Sequence, residues 1–245
     1  MLDQNVVALA NRKARRIAGK KAPRRIGYTD AAATLAGQLQ AAENAEGAVI
    51  AESVAAALTQ RTRLHVSQNV IVPISRETLI LAAAANGGEP ESQLRNVNNG
   101  TRCQVDLLTY DPWFREVNFF EVKRGTAPIG ANHRRVRLLE HVALAITGAA
   151  FVEESLGEPV HDVSTRVISY YGRSGFDSAI TITAAELDTV FGTTVRAEVD
   201  AHLAFFRYRL DCRIPGLTGS VYPPLAVHAT QPRPADPGEP AAAAL

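Results

Sequence analysis

Residues 102–125 read RCQVDLLTYDPWFREVNFFEVKRG, two apolar runs separated by a turn. Each run carries charge where a sheet core would ordinarily place Val or Leu. Asp106 lies between Val105 and Leu107, and Glu121 and Lys123 flank Val122 directly after Phe119 and Phe120. Side chains two apart on a strand project from one face, so Glu121 and Lys123 are expected to point together. Asp111-Pro112 starts a turn, and an antiparallel hairpin would bring Asp106 alongside them. Burying such charges without partners costs several kcal/mol apiece, so the grouping requires an ion or tight pairing. Two carboxylates sharing a site repel, and a divalent cation relieves that repulsion. Oxygen ligands suit Mg²⁺, which keeps several waters and is bound through one or two carboxylates plus substrate phosphate oxygens. Water activated by such a cation attacks phosphorus in line, and Lys123 is placed to orient it or help deprotonate it. The chemistry that results is phosphodiester hydrolysis.

The hairpin needs a scaffold, and the flanking sequence supplies one. Residues 29–60 are rich in Ala, Leu and Val and read as one or two helices, with Thr29 or Asp30 as the cap. LHVSQNVIVPI, residues 64–74, is β-branched and ends near a Pro, which predicts a strand. Residues 75–85 predict a short helix, and 86–100 a mobile loop by their Gly, Asn and Pro content. Residues 132–152 are helical in pattern, with Val136, Leu139, Val142, Ala143 and Ile146 on one face and Arg134, Arg137 and His141 on another. A strand over 164–172, a short strand and a helix closed by Gly192, and an amphipathic helix over 195–210 complete the order. Such an alternation predicts an α/β domain with a mixed sheet flanked by helices.

Asp106, followed on the next strand by Glu121-Val122-Lys123, resembles the D…(D/E)xK signature of the PD-(D/E)xK nuclease superfamily. That superfamily includes restriction endonucleases, Holliday-junction resolvases and repair exonucleases. The resemblance spans roughly residues 47–172 and implies a restriction-endonuclease-like core. It further implies that Asp106 and Glu121 ligate Mg²⁺ (Mn²⁺ as a substitute), that the carbonyl of Val122 adds a ligand, and that Lys123 is the catalytic lysine. Many members contribute an acid from the first core helix. Here that position falls to Glu52, within GAVIAESVAAALTQRTRLHV, with Glu43 and Glu46 as neighbours. Val105 stands where the family's name has Pro. A bare Glu-x-Lys arises by chance in a chain of this length. The strand that ends on it, the Asp on the strand before, the basic helix after and the acid-bearing helix upstream carry the resemblance.

Phosphate contacts are expected from Arg124, Arg134, Arg137 and His141, with DNA favoured over RNA. Trp113 and Phe114 at the turn read as a hydrophobic anchor, or as a pair that stacks on bases. His65, His161 and His228 have no ligand spacing. No Gly-x-Ser-x-Gly, P-loop or HExxH motif supports an esterase, an NTPase or a zinc protease.

The formal charge of +1 hides an asymmetry in the 245-residue chain. Residues 12–25 hold eight of the 26 Lys and Arg and no acid, leaving 18 basic against 25 acidic residues elsewhere. This divides the chain into a flexible basic segment (1–28), a nuclease-like domain (29–228) and a disordered Pro- and Ala-rich tail (229–245). The basic segment would add affinity for a polyanion by counterion release. Two cysteines, no secretory pattern and no apolar span predict a cytoplasmic protein without a membrane partner. Cutting both strands of a duplex needs two sites, which a homodimer would supply. The competing reading is a non-catalytic nucleic-acid-binding or assembly protein on the same fold.

Overall fold

The structure is a computed structural model and describes residues 2–20, 29–85, 100–215 and 217. Its elements in chain order are α1 (Gln4–Ala18), α2 (Asp30–Arg61), β1 (His65–Ile74), α3 (Arg76–Ala85), β2 (Thr101–Asp111), β3 (Glu116–Lys123), α4 (Ala131–Leu156), β4 (Asp162–Ser169), β5 (Thr181–Ile182), α5 (Leu187–Phe191) and α6 (Arg196–Asp211). Most follow the sequence pattern. Thr29 caps α2 as one unbroken helix by accepting from the Ala32 N–H. Asp111 closes the β2–β3 turn by accepting from the N–H groups of Trp113 and Phe114.

The strands form one mixed sheet in the order β1-β2-β3-β4-β5. β1, β2 and β3 run antiparallel as a meander, and β3–β4 and β4–β5 are parallel. The parallel step from β3 to β4 crosses over through α4, as parallel neighbours require. One sheet face packs with α1, α2 and α6 through Leu107, Phe120, Val122 and Ile168. The other packs with α3 and α4 through Val72, Val105, Leu108, Tyr110 and Phe119. α4 lies close to β3 because it presents Gly148 there, where a Cβ would run into the Phe119 ring. No helix among the described residues is long and apolar enough to cross a membrane.

Three expectations are corrected. The basic start is not a flexible segment over residues 4–18. Val6, Ala10, Ala14 and Ile17 recur at helical spacing and are buried against α2 and α6, with Arg12, Arg15 and Arg16 on the exposed side. The inward face of α4 is also turned from the expected one. Leu139, His141, Ala143, Leu144, Gly148 and Val152 are buried, whereas Val136 and Ile146 are about half exposed. The tight approach to β3 selects small residues there, and a buried carboxylate on β3 draws His141 inward. Trp113 and Phe114 anchor nothing under the sheet, since they are 80% and 64% exposed at the hairpin tip. The expected loop at 86–100 falls outside the described residues except for Gly100, and so do residues 21–28 and the tail at 229–245.

Candidate active site

The β2–β3 ladder runs from Asp111↔Glu116 to Leu107↔Phe120 and stops there. Beyond that pair β2 stays with β1, whereas β3 stays with β4 as far as Lys123↔Ser169. The strands part, and Asp106 stands in the fork. Its Oδ2 accepts from the Val122 N–H at 2.8 Å, where a regular ladder would use a backbone carbonyl. Burial pushes the Asp106 carboxyl above the usual carboxylate range, and the Val122 N–H and the Lys123 charge pull against it. Gly125, at φ +72°, turns the chain out of β3, and a Cβ there would strike Ser169.

The fork opens into a cavity of about 580 Å³ beneath α2. Glu52, Gln68, Asn69, Asp106, Lys123 and the Lys13 side chain of α1 line it. The Glu121 carboxylate opens on the other side of the sheet, in a crevice against α4 with Arg137 and His141. Lys123 connects the two, because it lines the cavity while its Nζ lies 2.5 Å from Glu121 Oε1. Arg137 Nε is 3.2 Å from the same oxygen, and His141 Nε2 is 3.6 Å from Oε2. Burial would raise the Glu121 pKa, but His141, Lys123 and Arg137 outweigh it and hold the carboxyl at about 2.

That depression has a sign. A carboxylate whose folded pKa lies below its unfolded value, near 4.3, stabilises the fold fully above that value and stops doing so as pH falls towards 2. Asp106, shifted upward by burial, works in the opposite sense. Urea unfolding between pH 5 and 2 is therefore expected to show a steep loss of stability in the wild type and a shallower slope in Glu121→Gln. Equal slopes would refute the assignment.

Each expected site residue can now be placed. Asp106, Glu52, Val122 and Lys123 share the cavity, whereas Glu121 reaches it only through Lys123. Glu52 makes no ion pair among the described residues, unlike its two neighbours on α2. Glu43 holds Arg124 at 2.8 Å, and the fully buried Glu46 lies between Arg124 and Arg207, each at 2.5 Å. The residues of the expected phosphate-binding stripe have partners within the protein. Arg124 is committed to Glu43 and Glu46, Arg137 to Glu121 and Glu140, and His141 to the Glu121 crevice. Arg134 donates to the Gly175 carbonyl at 2.7 Å. The physical reason is common to the first three: Glu46 and Glu121 are buried carboxylates that need ion-pair or hydrogen-bond partners.

No three Asp, Glu, His or Cys side chains converge on a metal-sized site among the described residues. Two carboxylates suffice for a hard cation that keeps its waters, and the donors here are oxygens throughout, so the set fits Mg²⁺ better than Zn²⁺. Gln68 and Asn69 escaped the sequence reading. Their signal is the carboxamide pair that interrupts β-branched HVSQNVIVPI. Arg207 and Tyr171, which converge on Glu46, gave no such signal. Comparison of the chain with known protein families, with curated proteins and with solved structures gives no match to any of them.

Proposed function

We propose that the protein is a divalent-metal-dependent nuclease that hydrolyses phosphodiester bonds in DNA. The observation that carries this reading is Asp106 in an open strand fork, facing a cavity with Glu52 and Lys123, beside the Glu121–Lys123 ion pair. The three-strand meander with a parallel fourth strand, flanked by α2 and α4, is consistent with the core that the PD-(D/E)xK resemblance implies. Asp106 would hold the cation with Glu52 opposite on α2, while Glu121, which the resemblance made a ligand, opens on the other side of the sheet and would act through Lys123. The cation, when bound, supplies charge neutralisation at the phosphate and a more acidic water. Lys123 joins His141 and Arg137 in keeping Glu121 ionised and lies on the cavity wall, where its ammonium can donate to a phosphate oxygen or to the attacking water. Val122 fixes the Asp106 rotamer through its N–H, which leaves the other carboxylate oxygen for a ligand. DNA is the partner, and a homodimer would place a second site on the opposite strand.

A second reading draws on the Glu121 crevice. Lys123, Arg137 and His141 already surround that carboxylate, which suits a nucleic-acid-binding or assembly protein that cuts nothing. Incubation with plasmid DNA in Mg²⁺, Mn²⁺, Ca²⁺ or EDTA separates the two. The nuclease is expected to nick or linearise plasmid in Mg²⁺ and Mn²⁺ and to leave it intact in EDTA. Retained DNA binding with no cleavage in any metal would establish the second reading instead.

A further inference from the structure

Asn69 has φ +52° in the middle of β1, a left-handed backbone that few residues other than Gly and Asn adopt without strain. It falls between the pairs Gln68↔Leu107 and Val70↔Val105, directly across from Asp106. Both strands change face at this point. On β1, Val66 packs on the α2 side, whereas Val70, Val72 and Ile74 pack on the side of α3 and α4. On β2, Cys103 and Val105 pack with α3 and α4, Leu107 packs on the α2 side, and Leu108 and Tyr110 return to the first. Residues two apart on a regular strand never divide in this way. Counted back from Tyr110 and Leu108, Asp106 would project towards α4, beside Glu121. It stands instead in the fork and on the cavity wall. The Gln104 amide donates to Asn69 Oδ1 at 3.4 Å and ties the two faults together.

We propose that Asn69 is a positioning residue: its left-handed backbone, matched by the reversal on β2, turns Asp106 out of the α4 face and into the fork. A left-handed residue held inside a strand by its surroundings is a recurrent device at functional sites. The catalytic consequence rests on the nuclease reading, but the positioning does not.

Amide hydrogen exchange at Val122 tests it, because that N–H is protected by the Asp106 carboxylate. Asp106→Ala gives the rate without the acceptor. Asn69→Gly, which adopts positive φ freely, is expected to keep Val122 exchange close to the wild-type rate. Asn69→Val, which does not, is expected to raise it about tenfold, towards the Asp106→Ala rate. Leu108 and Phe119, in the regular ladder, should exchange at unchanged rates in all variants. If Asn69→Val folds too poorly, Asn69→Ala makes the same comparison with less crowding. Wild-type protection in the Val or Ala variant overturns the proposal, and so does equal loss in Asn69→Gly, which would assign the effect to the side chain. Should the wild type cut no DNA in any metal, the nuclease reading fails while this comparison still stands.

Discussion

Lys123→Ala is expected to slow plasmid cleavage in Mg²⁺ by about a thousandfold, within the range for removal of a group that assists proton transfer or stabilises developing charge. The fold should survive the change. Lys123 is about a quarter exposed, and Glu121 keeps Arg137 and His141 when the ammonium is gone. A loss of about 1 kcal/mol in stability is the expected cost. Asp106→Asn makes the sharper comparison. The amide oxygen can still accept from the Val122 N–H, so the fork keeps its geometry and loses only charge. Cleavage should fall at least as far as in Lys123→Ala, and no excess of Mg²⁺ should restore it. Nicking rates measured beside thermal melts decide the matter. Wild-type rates in either variant, with the fold intact, would remove Asp106 and Lys123 from the chemistry.

The hairpin was legible because its signals are local. Asp111-Pro112 marks the turn, and the apolar runs on either side give the strands with little room for another register. Period-two reasoning then put Glu121 and Lys123 on one face, and their ion pair agrees with it. The same reasoning could not anticipate Asp106. Its direction depends on a fault shared with a strand that ends before β2 begins, and nothing within residues 102–111 records it. The partners of two α4 side chains were hidden for a related reason. Arg137 and His141 look like a solvated stripe by helical spacing, but their direction is set by Glu121, a long-range partner. α1 was obscured by composition: eight basic residues in a run outweighed four small or apolar ones at helical spacing.

Glu46→Ala should be the most destabilising of the variants considered, by about 3–5 kcal/mol, as for removal of one partner from a buried ion pair. Glu46 has no exposed surface, and its two oxygens serve three groups. Oε1 accepts from Arg207 Nη2 at 2.5 Å and from the Tyr171 hydroxyl at 3.0 Å, and Oε2 faces Arg124 Nε at 2.5 Å. Truncation takes the shared carboxylate from two guanidinium groups of which little is exposed, and opens a void between α2 and α6. Glu46→Gln keeps the volume and one acceptor and should cost roughly half as much. Glu46→Leu combined with Arg207→Met, which removes charge from both sides, should recover much of the loss. Urea unfolding measures all three, and a cost below about 1 kcal/mol for Glu46→Ala would refute the network. The site should feel the change as well. Arg124 follows Lys123, and its carbonyl accepts from the Tyr171 N–H at 2.9 Å, so this cluster fixes the end of β3 on which Lys123 stands. Lys123→Ala therefore separates chemistry from stability, whereas Glu46→Ala should lower both, with cleavage partly restored in the doubly substituted chain.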